Sequence, residues 1–268
     1  TTINNNADNR VITGSGTANT LNGETNLTFD GSTLNLSGNL SVDGGTIKLD
    51  GNYPTGTSNV ALGDSVFASL TTGQQNTSVG RESSTSLTEG NYNAAFGSGA
   101  LAGNTTGSNN TAIGRGSLTS NTTASSNTAL GYQSLAANTT GASNTAVGYL
   151  ALDANTTADR NVAIGERAMT ANTTGTKNTG VGPAALFGNT TGSDNVAVGN
   201  SALQENTTGT NNTAIGSLAL QDNLTGLANV AIGHSALENN TATGNTAVGT
   251  DAAKTNTSGA SNTAIGKD

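Results

Sequence analysis

The stretch SNTAVGYLALDANTT, from Ser143 to Thr157, follows SNTALGYQSLAANTT at a distance of 17 residues and precedes RNVAIGERAMTANTT at the same distance. The glycine that closes "NTAVG" recurs every 17 residues from Gly63 to Gly233, then after 16 at Gly249 and after 17 at Gly266. The chain thus carries 13 copies of approximately N-T-A-(V/I)-G-x-x-A-L-x-x-N-T-T-G-x-x and supplies its own alignment.

A period of 17 is too short for the common helical repeats, which need about 33 residues or more. The unit is also rich in Gly, Asn and Thr, which are poor helix formers. Short strands and turns wound into a coil do fit. Stacked coils set equivalent residues one strand spacing apart, about 4.8 Å. The predicted fold is therefore all-β, a parallel β-solenoid of about 13 coils.

The columns of this stack have distinct expected roles. Ile113, Val147, Ile164, Val198, Ile215 and Ile232, each before the glycine, are β-branched and suit a buried strand. Four residues after the glycine come Leu118, Leu135, Leu152, Leu203, Leu220 and Leu237, with Met169 in the same column. Both columns are expected to form the core. Alternation sends the intervening alanine to the opposite face of the strand. Ala112, Ala129, Ala146, Ala163, Ala197, Ala214 and Ala231 keep that face small and apolar. A strand apolar on both faces is usually buried on both, so the alanine column is expected to be an oligomer face. The asparagine columns, such as Asn127 and Asn144 or Asn138 and Asn155, are expected to stack their amides from coil to coil.

Composition agrees with a thin, distributed core. Only 32% of the 268 residues are hydrophobic and 3% aromatic, while 37 are glycine, so little side-chain volume is available for a deep core. The net charge is −8, from 17 acids and 9 bases without a basic stripe, which argues against nucleic-acid binding. No apolar run is long enough to insert in a membrane as a helix, and there is no cysteine. Residues 1–51 break the repeat. Alternating pairs (Leu27 and Phe29, Leu34 and Leu36, Leu40 and Val42, Ile47 and Leu49) predict a small β-rich connector module. Residues 52–58, with Pro54, read as a junction, and residues 59–268 as the solenoid. The sequence starts at Thr1 and stops within a repeat at Asp268, which reads as a fragment or a processed chain whose last coil is covered by further chain, by another subunit, or by trimer packing that folds the edge inward.

Two resemblances follow from these residues. The segment from Thr2, TINNNADNRVITGSGTANTLNGETNLTFDGSTLNLSG, resembles one common in fibre proteins of tailed phages, notably those of marine cyanobacteria. The "NTAVGYLAL…NTTG" lines resemble repeats of such fibres. They are also similar to the head repeats of trimeric autotransporter adhesins, in which an "AIG" strand recurs in a left-handed parallel β-roll with three chains side by side. Those heads typically use shorter coils, and the sequence shows neither membrane anchor nor coiled-coil stalk. The resemblance therefore implies a homotrimeric phage or phage-like fibre, on a virion or extracellular surface. Its implied partners are other fibre or particle proteins and a host-surface glycan or protein.

Signals for chemistry are sparse. The single histidine, His234, sits in a variable column and reads as a solvated surface residue. Acids recur only at variable positions, unlike the fixed aspartates of calcium-binding β-rolls. Glu205 and Asp222 share a column one coil apart, a separation two glycosidase carboxylates could have, but no cleft is implied. The "NTT" triplets match an N-glycosylation pattern, yet they recur because a turn recurs. No catalytic, cofactor or metal residue is assigned, and the expectation is a non-enzyme. The residue after each glycine varies freely and is expected to face solvent. There Arg115, Tyr132, Tyr149 and Glu166 follow one another, a surface that could stack on a sugar or contact a receptor. The expected function is that of a structural fibre rod contributing to host attachment. The alternatives are a bacterial adhesin head and an ice-binding solenoid. For ice binding, the adjacent threonines of "NTTG" would point to opposite faces.

Overall fold

The structure, a computed structural model, describes residues 2–4, 10–14, 20–29, 34–36 and 58–267. The chain divides into two compact units, Thr1–Leu49 and Asp50–Asp268. In the first, β3 (Thr20–Phe29) pairs with β1 (Thr2–Asn4) in parallel and with β2 (Arg10–Gly14) and β4 (Leu34–Leu36) antiparallel. Leu27 lies opposite Leu36 and Phe29 opposite Leu34. The expected strand pairs Leu40/Val42 and Ile47/Leu49, and the junction at 52–57, lie outside the described residues.

The second unit is a parallel β-solenoid. Its 13 strands, from β5 (Val60–Leu62) to β17 (Thr263–Ile265), have three residues each and form one sheet in chain order. Register is fixed by the repeat: Thr145 pairs with Val162, Ala146 with Ala163, and Val147 with Ile164. Twelve steps of about 4.8 Å make this sheet about 60 Å long.

Between strands the chain turns without losing its inter-coil hydrogen bonds. The Leu152 amide donates to the Ala168 carbonyl (2.9 Å), and the Arg167 amide to Tyr149 (2.9 Å). Backbone groups therefore find partners at the corners as well as in the sheet. The corners are built from left-handed residues. In each coil φ is near 130° at the repeat glycine and near 50–60° at the Leu column and at the residue before the first asparagine. The repeat glycine is needed for space as well. A Cβ on Gly199 would stand 2.6 Å from the carbonyl carbon and oxygen of Gly216 in the next coil.

The interior is filled by three kinds of column. Leu118, Leu135, Leu152, Leu203, Leu220 and Leu237 are fully buried. Two asparagine ladders are buried beside them. In one, the Asn144 amide donates to Asn127 Oδ1 (2.9 Å). In the other, Asn155 Nδ2 donates to Asn138 Oδ1 (2.8 Å). Asn144 and Asn155 both donate through Nδ2 to the Ala158 carbonyl (2.8 and 3.1 Å), which ties the ladders together. These buried amides are satisfied by one another and by backbone, except at Asn223, whose Oδ1 is buried without a partner where the ladder breaks before Asn240.

The third interior column is alanine, and this corrects the expectation for the strand. Ala112, Ala129, Ala146, Ala163, Ala197, Ala214 and Ala231 are fully buried inside the coil, so they do not form an oligomer face. Ile113, Ile164, Ile215 and Ile232 are 38–40% exposed, and Val147 and Val198 are half-buried, so they are not the core of the chain. The cause is the narrow cross-section. With the leucines and both amide ladders inside, only a methyl group fits on the inward face of the strand. At Gly180 even that is absent: a Cβ there would be 3.0 Å from Cγ of Met169, whose longer, unbranched side chain stands in the leucine column.

Candidate interaction surface

The residue after each repeat glycine emerges at a corner, and the 17-residue register stacks these side chains along one edge. Arg115, Tyr132 and Tyr149 come into direct contact there. The two tyrosine rings stack with centroids 5.6 Å apart and planes 13° from parallel. The Arg115 guanidinium lies over the other side of this pair, 5.7 Å from the Tyr132 ring centre. It also donates a hydrogen bond to the Tyr132 hydroxyl (3.3 Å). Cation–π and stacking contacts of this kind hold exposed side chains in one arrangement. Glu166 is next in register and exposed, but among the described residues no hydrogen bond or ion pair joins it to the tyrosines.

Beside this stack is a recess of about 290 Å³. Its floor is made by Gly99 and Gly116, with Ser98 and Thr119 beside them. Gln133 and Tyr132 form one side, and Arg81 with Glu82 the other. Arg81 and Glu82 pair with each other at 3.2 Å. The two glycines and their polar neighbours were not singled out from the sequence. The available signal is local: GSG at Gly97–Gly99 and GRG at Gly114–Gly116 put glycine at the same repeat position in consecutive coils. A larger recess, about 430 Å³, lies against Asp251, Ala253, Lys254 and Thr255. There Lys254 is already held by Glu238 (3.0 Å) and Asp251 (3.5 Å), leaving no uncommitted charge.

No protein-family model, curated protein or solved structure matches this chain.

The other sequence candidates separate clearly. His234 is exposed. Among the described residues no three His, Cys, Asp or Glu side chains cluster as metal ligands. The "NTT" asparagines, including Asn121, Asn138 and Asn155, are fully buried ladder members, which closes them to glycosylation in the fold. No helix is long and apolar enough to cross a membrane, among the described residues.

The remaining surface of note is the outer face of the sheet. Thr145 and Val147, two residues apart, both point outward, and their register partners Val162 and Ile164 do the same. The result is a strip of hydroxyl-bearing and apolar side chains along all 13 rungs, aliphatic in its apolar part except at Phe96. At about 60 Å by about 10 Å it covers on the order of 600 Å², shared between a largely threonine column and an apolar one.

Proposed function

We propose that this chain is a structural fibre protein of a phage or phage-like particle, working as a homotrimer whose solenoids form a rod that contributes to host-surface attachment. The observation that carries this reading is the outward apolar column, present on all 13 rungs and running along the stack of coils. A strip of that shape suits lengthwise packing of copies about a common axis. The resemblance of the sequence to phage fibres supplies the biological setting. Other fibre or particle proteins are the partners expected along the rod, and the variable corner residues are those left free to meet a host glycan or protein. The role asked of the chain is mechanical, and no catalytic step is assigned to it.

The test is labelling of the particles with antibodies raised against residues 59–268. Gold along the fibres supports the reading, and gold confined to another location overturns it.

A second reading, ice binding, is favoured by one observation. Thr145 and Val147 have the two-residue spacing that a flat two-column array needs. The first threonine of each "NTT" does not contribute, since Thr139 Oγ1 is committed to the Thr156 carbonyl (3.0 Å) and its counterparts repeat that bond; the second, such as Thr140, is exposed, one column per coil. Thermal hysteresis at micromolar protein would establish this reading in place of the fibre.

A further inference from the structure

We propose that the recess floored by Gly99 and Gly116 is a binding site for an acidic sugar, whose carboxylate is held by Arg115. The proposal deepens the attachment reading, on which it rests for the source of the sugar.

The recess exists because two side chains are missing. The repeat position of Gly99 and Gly116 is held by Glu82 and Gln133 in the flanking coils and by Leu150 and Arg167 further on, all with φ between 50° and 58°. The left-handed backbone there accepts ordinary residues, so conformation does not demand the glycines, whose φ values are 69° and 68°. Space does not demand them either. A Cβ on Gly99 would meet nothing within 4 Å, and one on Gly116 would only touch Gln133 Cγ at 3.4 Å. What the pair does is bare the floor over two adjacent rungs while the coils on either side keep their walls.

The chemistry of the walls selects the ligand. Arg81 is neutralised by Glu82 at 3.2 Å. Arg115 has no carboxylate partner among the described residues, in a chain of net charge −8. Its guanidinium is oriented by the Tyr132 ring and hydroxyl. One of its five N–H donors serves that hydroxyl, and the rest remain for a ligand. A single oriented guanidinium matches the fork of one carboxylate. Around it Ser98, Thr119 and Gln133 offer hydroxyl and amide groups suited to the hydroxyls of a sugar ring. A recess of about 290 Å³ is at the small end of ligand sites and suits one ring. Both faces of Tyr132 are occupied, by Arg115 and Tyr149, so the ring is a wall and a brace and does not stack on the sugar.

The experiment is a titration of the intact chain at low salt, followed by saturation-transfer NMR. The probes are N-acetylneuraminyl-lactose, a glucuronate-terminated disaccharide, lactose, and a short acidic peptide. Saturable binding of one or both acidic sugars is expected, at least tenfold tighter than lactose. Gly116→Gln, which copies the residue native to the next coil, should weaken it at least tenfold with an unchanged circular dichroism spectrum and melting temperature. Arg115→Gln should abolish the preference for the acidic sugar over lactose. Equal binding of lactose, unimpaired binding by Gly116→Gln, binding of the peptide alone, or no binding of either acidic sugar would each overturn the proposal. Antibody labelling of particles is read separately, so a fibre without this sugar site and a sugar site on a protein that is no fibre are distinguishable.

Discussion

Leu152 is fully buried and has a φ of 53°, and its column repeats that combination in coil after coil. The left-handed region costs an ordinary residue about 1–2 kcal/mol, which glycine would avoid. Burial of the leucine side chain returns about 1.5–3 kcal/mol, so leucine is retained at a corner where conformation alone favours glycine. The strand alanines are constrained in the opposite sense. Ala163→Leu should destabilise the fold by about 1–3 kcal/mol in urea melts, because the interior has no room for the added atoms. A change below 0.5 kcal/mol would mean that the alanine column is not internal. Asp153 shows a third kind of constraint. Burial raises its pKa above the usual carboxylate range, opposed by the amides of Asp153 and Ala154 and by the Arg167 charge. Its Oδ1 is buried with no hydrogen-bond partner. A carboxyl with a raised pKa in the fold binds its proton more tightly there than in the unfolded chain. Its ionisation therefore weakens the fold as pH climbs from the ordinary value of 3.8 through the raised one. Asp153→Asn should remove this component, so urea midpoints of the two proteins should diverge as pH rises from 3 to 7, with the variant gaining. Parallel curves would show that burial of Asp153 has no such consequence.

At the scale of the element, the unit of stability is one coil and its two interfaces. Each coil is joined to the next by a three-residue strand pair, two buried amide ladders and corner hydrogen bonds, as between Asn144 and its neighbours in register. Such a stack behaves as a one-dimensional array of neighbour contacts. Excision of Thr179–Asn195, one full period, joins Asn178 to Val196 and leaves every column aligned. The shortened protein should retain the circular dichroism spectrum per residue and a cooperative melt. Excision of Thr179–Phe187, about half a period, sets leucines against asparagines and should abolish cooperative unfolding. Equal tolerance of both deletions would contradict a register-locked stack. Coupled substitutions in the native chain follow the same rule. Met169 is accompanied by Gly180. Ser84 in the Leu column is accompanied by Ser78 in the alanine column, their hydroxyls 2.9 Å apart.

For the whole molecule, the outward strip is the feature with the largest consequence. Under the proposed assembly, Ile164→Glu combined with Ile215→Glu places charges in the packed face, where each unpaired charge costs several kcal/mol. Both isoleucines are exposed in the single chain, at 40%, so the monomer should keep its fold to within about 0.5 kcal/mol per site. Mass photometry of the wild type should give three times the chain mass, and the double variant should give folded monomers. A wild type that stays monomeric at micromolar concentration would remove the trimer from the proposed function. Unfolding of the variant would mean instead that the coil and the assembly form together.

The period of 17, the parallel stacking, the leucine column and the amide ladders were legible in the sequence, because a solenoid repeats its physics at every rung and so displays it as columns. Alternation along "NTAVG" likewise separated Thr and Val from Ala. It did not fix which face points inward, since both are apolar and period two carries no sign. Only the tertiary structure decided that, through the volume left inside a coil already holding a leucine and two asparagines. The pairs Met169/Gly180 and Ser84/Ser78 held the clue, as compensating changes across the interior, but reading them as contacts requires knowing that the columns face each other. The recess at Gly99 and Gly116 was beyond the sequence for a related reason. A glycine in a left-handed corner looks like a conformational necessity until its neighbours at the same position, Glu82 and Gln133, are seen to adopt the same backbone with side chains attached.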